Sequence, residues 1–264
     1  MNAYLQIIKG TWAEHLMYRL NFVMWRVRMV MQLLITYFLW SAIFGNRDQF
    51  FGYTQSMILT YVLLTGVVRT VVLGTTTIEI GDLINQGNLS NYLVKPMHFF
   101  AYYWARDVAD KALNLLFAIG ELTILFLILR PPIFIQTNPL YIGLSVLAVG
   151  LGVFLYYYFS MILGFLGFWT PDVWGPRFIS FVVMEFFAGS LFPLDILPKP
   201  LFAIAVGLPF SYFIYFPIKV YMGQLSIAFV LQGLTIGLAW VGGLAYLALA
   251  LWNRGLKVYT AEGK

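Results

Sequence analysis

The stretch LYIGLSVLAVGLGVFLYYYFSMILGFLGFW, Leu140 to Trp169, carries thirty residues without one charged side chain. Roughly 20 apolar residues cross a bilayer as a helix, so this run is long enough to span one while tilted. The neighbourhood is of the same kind. Of the 264 residues 61% are hydrophobic and 10% charged, against about 25% charged in soluble domains, and the mean hydropathy is +0.82. So little polar surface cannot coat a water-exposed sphere. The long unbroken runs also lack the ten-residue alternation of an outer-membrane barrel, which leaves an all-α polytopic membrane protein forming one domain over 1–264.

Six spans are expected, at Arg28 to Phe44, Phe51 to Val72, Ala109 to Leu129, Leu140 to Trp169, Phe178 to Phe192 and Ile227 to Trp252. A further run, Leu201 to Phe216, is cut by prolines and reads as part of a re-entrant external segment over 193–222. Treating it as a seventh crossing would move the tail Arg254, Lys257 and Lys264 outside. With six spans both termini are cytoplasmic, twelve lysines and arginines lie inside, and only Arg47, Arg130, Lys199 and Lys219 lie outside, in keeping with the positive-inside rule. A cytoplasmic leaflet of anionic lipids then accounts for the pI near 9.3, and no nucleic-acid partner is needed. Residues 1–27 read as an interfacial helix, because Leu5, Ile8, Trp12, Leu16, Leu20 and Val23 share one helical face while Lys9 and Arg19 border it. A helix that merely caps the bundle is the alternative. Only Lys9 among the first ten residues is basic and no small-residue cleavage site follows, so no removable leader is expected.

The longest polar stretch falls in the loop 73–108. Ile80, Leu83 and Ile84 mark one apolar edge of a short helix, Glu79, Asp82, Asn85 and Gln86 its polar side, and Gly87-Asn88 its end. Such an element either docks into a groove of a soluble partner or simply covers the bundle. Within the spans, Glu121 and Glu185 are costly, at roughly 2.5 to 3.5 kcal/mol for an acidic residue in mid-helix. Each is read either as a polar point or interhelical link, or as a protonated acid bonded to backbone. Gln55 and Thr60, with Glu185, are candidates for a translocation path, although hydrogen bonding between helices would equally explain the first two. Arg69, Arg106 and Lys111 are expected to snorkel toward headgroups. Gly233-Leu-Thr-Ile-Gly237 permits close helix approach.

Cysteine is absent, which removes disulfides and thiolate chemistry, and the only histidines are His15 and His98. Neither His-Glu-x-x-His nor Gly-x-Ser-x-Gly occurs, so no enzyme activity is expected. The segment Phe186-Phe-Ala-Gly189-Ser-Leu-Phe-Pro193-Leu-Asp-Ile-Leu-Pro198, followed by Leu208-Pro209-Phe210, has a distinctive order. Together with the topology and the Gly81-Asp82-Leu83 and Lys95-Pro96 pairs of the loop, it resembles the permease subunit of ABC-2 type transporters, in their bacterial branch of about this length. The resemblance implies an exporter whose permease pairs with a second, identical or related, permease above two separate ABC ATPase subunits. Those subunits would bind ATP and Mg; this chain, lacking a Gly-x-x-x-x-Gly-Lys-Ser/Thr loop, would hold no cofactor or metal. It also implies an ATPase-coupling role for Glu79, Gly81, Asp82, Asn85 and Gln86, a structural role for Gly189, Pro193, Pro198 and Pro209 in the external segment, and a place in the cytoplasmic membrane among its lipids. An ion-coupled secondary transporter and a membrane scaffold subunit are the alternatives.

Overall fold

A computed structural model describes residues 3–45 and 47–260, so Lys264 of the basic tail and the extreme bounds 1, 2 and 261–264 lie outside the described residues. Helix α1 (Ala3–Met17) and α2 (Arg19–Phe44) are followed by a hairpin of β1 (Gln49–Phe50) and β2 (Tyr53–Thr54). Then come α3 (Gln55–Leu73), two short loop helices α4 (Ile80–Asn85) and α5 (Ser90–Leu93), α6 (Phe99–Leu129) and α7 (Pro139–Phe165). The chain continues through α8 (Trp174–Phe187), α9 (Lys199–Gly207), α10 (Tyr215–Tyr221) and α11 (Ile227–Gly255).

Five of these helices, α2, α3, α6, α7 with its 3-10 extension, and α11, are long and apolar enough to cross a membrane. The expected fifth span is different. Helix α8 has 14 residues, about 21 Å at 1.5 Å per residue, against a hydrocarbon core of about 30 Å. It stops because Gly189 adopts φ +77°, a left-handed conformation that a side chain would strain, and because Pro193 cannot donate to a helical ladder. The Leu201 to Phe216 run forms no continuous helix. It breaks at Leu208 and Phe213 into α9, a 3-10 turn (Pro209–Tyr212) and α10, and Phe213, Ile214 and Val220 are fully buried.

Helix α3 is the most buried of the long helices. Its Thr60, Thr65 and Thr70 hydroxyls donate to the carbonyls of Ser56, Tyr61 and Gly66, so each polar group is satisfied within the helix. Helices α6 and α7 are joined at residues with clear local reasons: Arg130 closes α6 in the left-handed region before Pro131-Pro132, and Asn138 caps α7 by accepting from the Leu140 amide at 3.0 Å. Helices α7 and α11 run parallel, paired from Tyr141 Oη on the Leu225 carbonyl (2.9 Å) to Phe165 on Trp252 (centroids 5.2 Å apart). The Gly-x-x-x-Gly of α11 serves this interior packing, with Gly233 against Phe216 and Gly237 against Leu151.

Helices α1 and α2 meet at Tyr18, whose ψ of 37° departs from helical geometry, while hydrogen bonds from Tyr18 N to Glu14 O and from Phe22 N to Tyr18 O bridge the junction. Three side-chain contacts tie α1 and α2 to α6 at an offset of 95 residues: His15 to Asp110 (2.8 Å), Phe22 to Phe117 (ring centroids 4.9 Å) and Arg26 to Glu121 (2.7 Å). Trp12, assigned to a lipid-facing stripe, instead donates its indole N–H to Ala109 O at 2.8 Å, while Leu16 and Leu20 of that stripe are exposed.

Candidate functional site

The bundle has two ends of different character. At one end, here called the loop face, α1, the 74–98 segment, the 169–173 turn and Tyr259 near the end of the described chain come together; the Tyr259 hydroxyl donates to Gly87 O. At the opposite, hairpin face lie β1–β2, the 130–138 connection and residues 189–226.

On the loop face, a 3-10 turn (Thr76–Glu79) leads into α4. The apolar edge does not project outward. Ile80 and Ile84 are buried in a cluster with Phe99, Tyr103, Met161 and Phe165, and Leu83 packs on its margin. Gly81 is buried because α4 crosses the end of α7 at backbone contact: a Cβ on Gly167 would lie 2.8 Å from Gly81 O, and one on Gly81 would press into Val173. Asn85 donates to Pro171 O at 2.8 Å. Glu79 accepts from Arg106 and from the Tyr103 hydroxyl (3.0 Å), and Arg106 also pairs with Glu14 of α1 at 2.9 Å. Of the five residues assigned to coupling, then, Glu79, Gly81 and Asn85 fasten α4 to the bundle. Asp82 and Gln86 are exposed, and Asp82 makes no hydrogen bond or ion pair among the described residues.

Deeper on the same face, Lys111 and Arg106 do not snorkel. Lys111 is buried, pairs with Asp107 at 3.1 Å and donates to the Val72 and Gly74 carbonyls, placing a cation at the carbonyl-rich C-terminus of α3. Asp110 takes His15 of α1, and this hydrogen bond raises the His15 pKa above its ordinary value against the opposing effect of burial. Four carboxylates, Glu14, Glu79, Asp107 and Asp110, with Arg106, Lys111 and His15 thereby join α1, α3, the loop and α6.

Farther along the helices, both intramembrane acids have guanidinium partners. Glu121 takes Arg26 and Glu185 takes Arg69, so Arg69 turns inward between α3 and α8, and neither acid relies on a backbone partner. The path candidates do not converge. Gln55 is exposed in the first turn of α3, Thr60 is engaged by Ser56 O and Phe134 N (2.7 Å each), and Glu185 is half-buried beside Arg69.

The motif residues of the hairpin face are turn formers. Gly189 O accepts from Tyr61 Oη at 2.6 Å, Pro193 and Pro198 precede a 3-10 turn and α9, and Pro209 opens the next 3-10 turn. Sequence reasoning missed the knot they support. Asp195 accepts from Tyr53 Oη (2.8 Å) and Lys219 Nζ (2.7 Å), which ties the hairpin to the folded-back segment; burial beside Asp195 pushes the Tyr53 phenol upward in pKa. The signal was present: Asp195 and Lys219 are two of only four charges between 178 and 223.

Long apolar helices around a mostly dry core, with ionic groups concentrated at one end and in intramembrane pairs, define a multi-pass helical membrane protein. Residues 30–263 match the family described as ABC-2 family transporter protein, and the chain belongs to that family of membrane transport components. No curated protein matches the chain.

Proposed function

We propose that the chain is the permease subunit of an ATP-driven exporter in a cytoplasmic membrane, pairing with a second permease and coupled through its loop face to separate ATPase subunits that bind ATP and Mg. The family match over residues 30–263 carries this reading. The architecture of α4 supports it. A coupling element has to be stiff toward the bundle and polar toward its partner; α4 is held by Gly81–Gly167 contact, Asn85–Pro171 and Glu79–Arg106, and presents Asp82 and Gln86 outward. In this reading both chain ends are cytoplasmic, α8 with the 189–222 segment serves as the fifth crossing and its re-entrant continuation, and lipid covers the exposed apolar faces of α2, α6 and α11.

The ion-coupled alternative asks for an intramembrane acid free to bind and release a proton. Glu121 is held by two hydrogen bonds from Arg26, which opposes it there, whereas Glu185 stands beside Arg69 with no hydrogen bond among the described residues. The test is co-purification with the cognate ATPase and hydrolysis measured in lipid vesicles. Wild type is expected to bind the ATPase and to stimulate hydrolysis on transport, and Asp82→Lys to lose the stimulation. Full stimulation in Asp82→Lys refutes the coupling role, and transport driven by a proton gradient without ATP refutes the exporter reading as a whole.

A further inference from the structure

A cleft of about 550 Å³ opens on the loop face between α2, α7 and α8, within the roughly 300–1,000 Å³ range of small-molecule sites. Its walls are aromatic, from Tyr156 and Phe159 of α7 to Trp174, Phe178 and Phe181 of α8. Two guanidiniums line it. Arg177 is fixed at the wall by its bond to the Ile78 carbonyl, and Arg28 of α2 makes no ion pair or hydrogen bond among the described residues. An arginine inside a membrane-crossing helix is costly unless something answers its charge. Its neighbour Arg26 is answered by Glu121 and Arg69 by Glu185, which leaves Arg28, with Arg19 at the first position of α2, without an ion pair among the described residues of α2 and α3. Two carboxylates also border the cleft. Asp172 accepts from the Trp174 amide at 2.8 Å, and both carboxylates are exposed, whereas Arg177 Nη2 is buried with no hydrogen-bond partner among the described residues. At the inner end stands Met184, next in sequence to the Glu185 that stands beside Arg69.

We infer that this cleft binds an amphiphile with an anionic head group, the head between Arg28 and Arg177 and the apolar body against the aromatic faces of α7 and α8. The inference rests on the permease reading for its meaning as a substrate-entry site, but not for its test. Guanidiniums favour phosphate or carboxylate oxygens through paired N–H donors, and aromatic walls favour the apolar remainder without demanding one shape. The same chemistry is offered by a cargo molecule and by an anionic bilayer lipid.

The experiment uses the purified full chain alone, in phosphatidylcholine nanodiscs, with an alkyl phosphate carrying a diazirine on its chain. Crosslinks located by mass spectrometry are expected on α8 and the facing stretch of α7. Dodecyl phosphate should compete; dodecyltrimethylammonium and inorganic phosphate should not. Arg28→Gln and Arg177→Gln should each weaken competition about tenfold, and Arg28→Lys should restore part of the loss. Because Arg28 is exposed and has no partner to lose, its variant decides the matter if Arg177→Gln misfolds. Repeating the competition with phosphatidylglycerol in the disc separates the sources: displacement identifies bilayer lipid as an occupant, and persistence of the crosslink points to a cargo-type amphiphile. Crosslinks elsewhere, equal competition by the cationic amphiphile or by phosphate alone, or full binding in Arg28→Gln overturns the inference. None of these readouts involves an ATPase, so failure here is distinct from failure of the coupling assay.

Discussion

Replacing Gly167 by alanine tests whether α4 is held against α7 by backbone contact. The new methyl would stand 2.8 Å from Gly81 O and 3.2 Å from Gly81 Cα, whereas ordinary contact begins at 3.4 Å, so the backbone of α4 must retreat by about 0.6 Å. No flexible side-chain end is available to absorb that shift. Retreat would pull Ile80 and Ile84 from their buried cluster and lengthen the Asn85–Pro171 bond. Overpacking of this kind costs ~1–3 kcal/mol. Gly150→Ala provides the matched control, since a Cβ there meets nothing within 4 Å and the middle of α7 gains helix propensity worth up to about 1 kcal/mol. Equilibrium unfolding in mixed micelles should therefore move in opposite directions for the two variants. Amide hydrogen exchange over 76–88 should accelerate only in Gly167→Ala. A Gly167→Ala protein as stable as wild type, with unchanged exchange over 76–88, would refute the close-contact account of the loop.

Arg26→Met should lower stability by about 3–5 kcal/mol by stranding Glu121, and Arg26→Met/Glu121→Met should recover most of it in denaturant titration; an equal loss in the double variant would deny the pair its role. The His15–Asp110 contact should be pH-dependent: because the folded His15 pKa is raised, its stabilisation is complete below the unfolded value of 6.5 and is lost as pH climbs through the raised folded value. The thermal midpoint should fall accordingly between about pH 6 and pH 9 in wild type, and the dependence should flatten in Asp110→Asn. Lys219→Met should remove charge-assisted bonds worth ~1.5–3 kcal/mol and loosen the hairpin from Asp195, read as faster exchange over 49–54; unchanged protection there would contradict the knot.

Much of the architecture was legible because lipid exposes a simple rule: an uncharged run of sufficient length becomes a long helix. That rule located α3, α6, α7 and α11 to within a few residues, apart from the loop-face extension of α6 back to Phe99. It failed where helix length is set by conformation rather than hydropathy. Phe178 to Phe192 carries only Ser180, Glu185 and Ser190 as polar side chains, yet α8 ends at Phe187 because Gly189 turns left-handed and Tyr61 claims its carbonyl. Charges were legible as positions but not as pairs. Arg69, Arg106 and Lys111 each sit near a helix end, where snorkelling is the local expectation, and their partners Glu185, Glu79 and Asp107 come from packing that no periodicity records, even for Asp107 one turn away. The contacts of α1 and α2 with α6 were hidden for a related reason: Glu14 and Arg26 interrupt the hydropathy, and their partners Arg106 and Glu121 lie more than 90 residues away.

The offset of 95 shared by three contacts of α1 and α2 with α6 has a mechanical consequence. From His15/Asp110 to Arg26/Glu121 the helices are tied over eleven residues, roughly 16 Å of axial length, with an ionic contact at each end and an edge-to-face ring pair between. Sliding by a single residue would put all three contacts out of phase at once, and the next comparable alignment is a full helical turn away. Axial sliding of the first helices along α6 would therefore break the two ionic contacts and the ring pair together, which opposes that movement more than a sideways one.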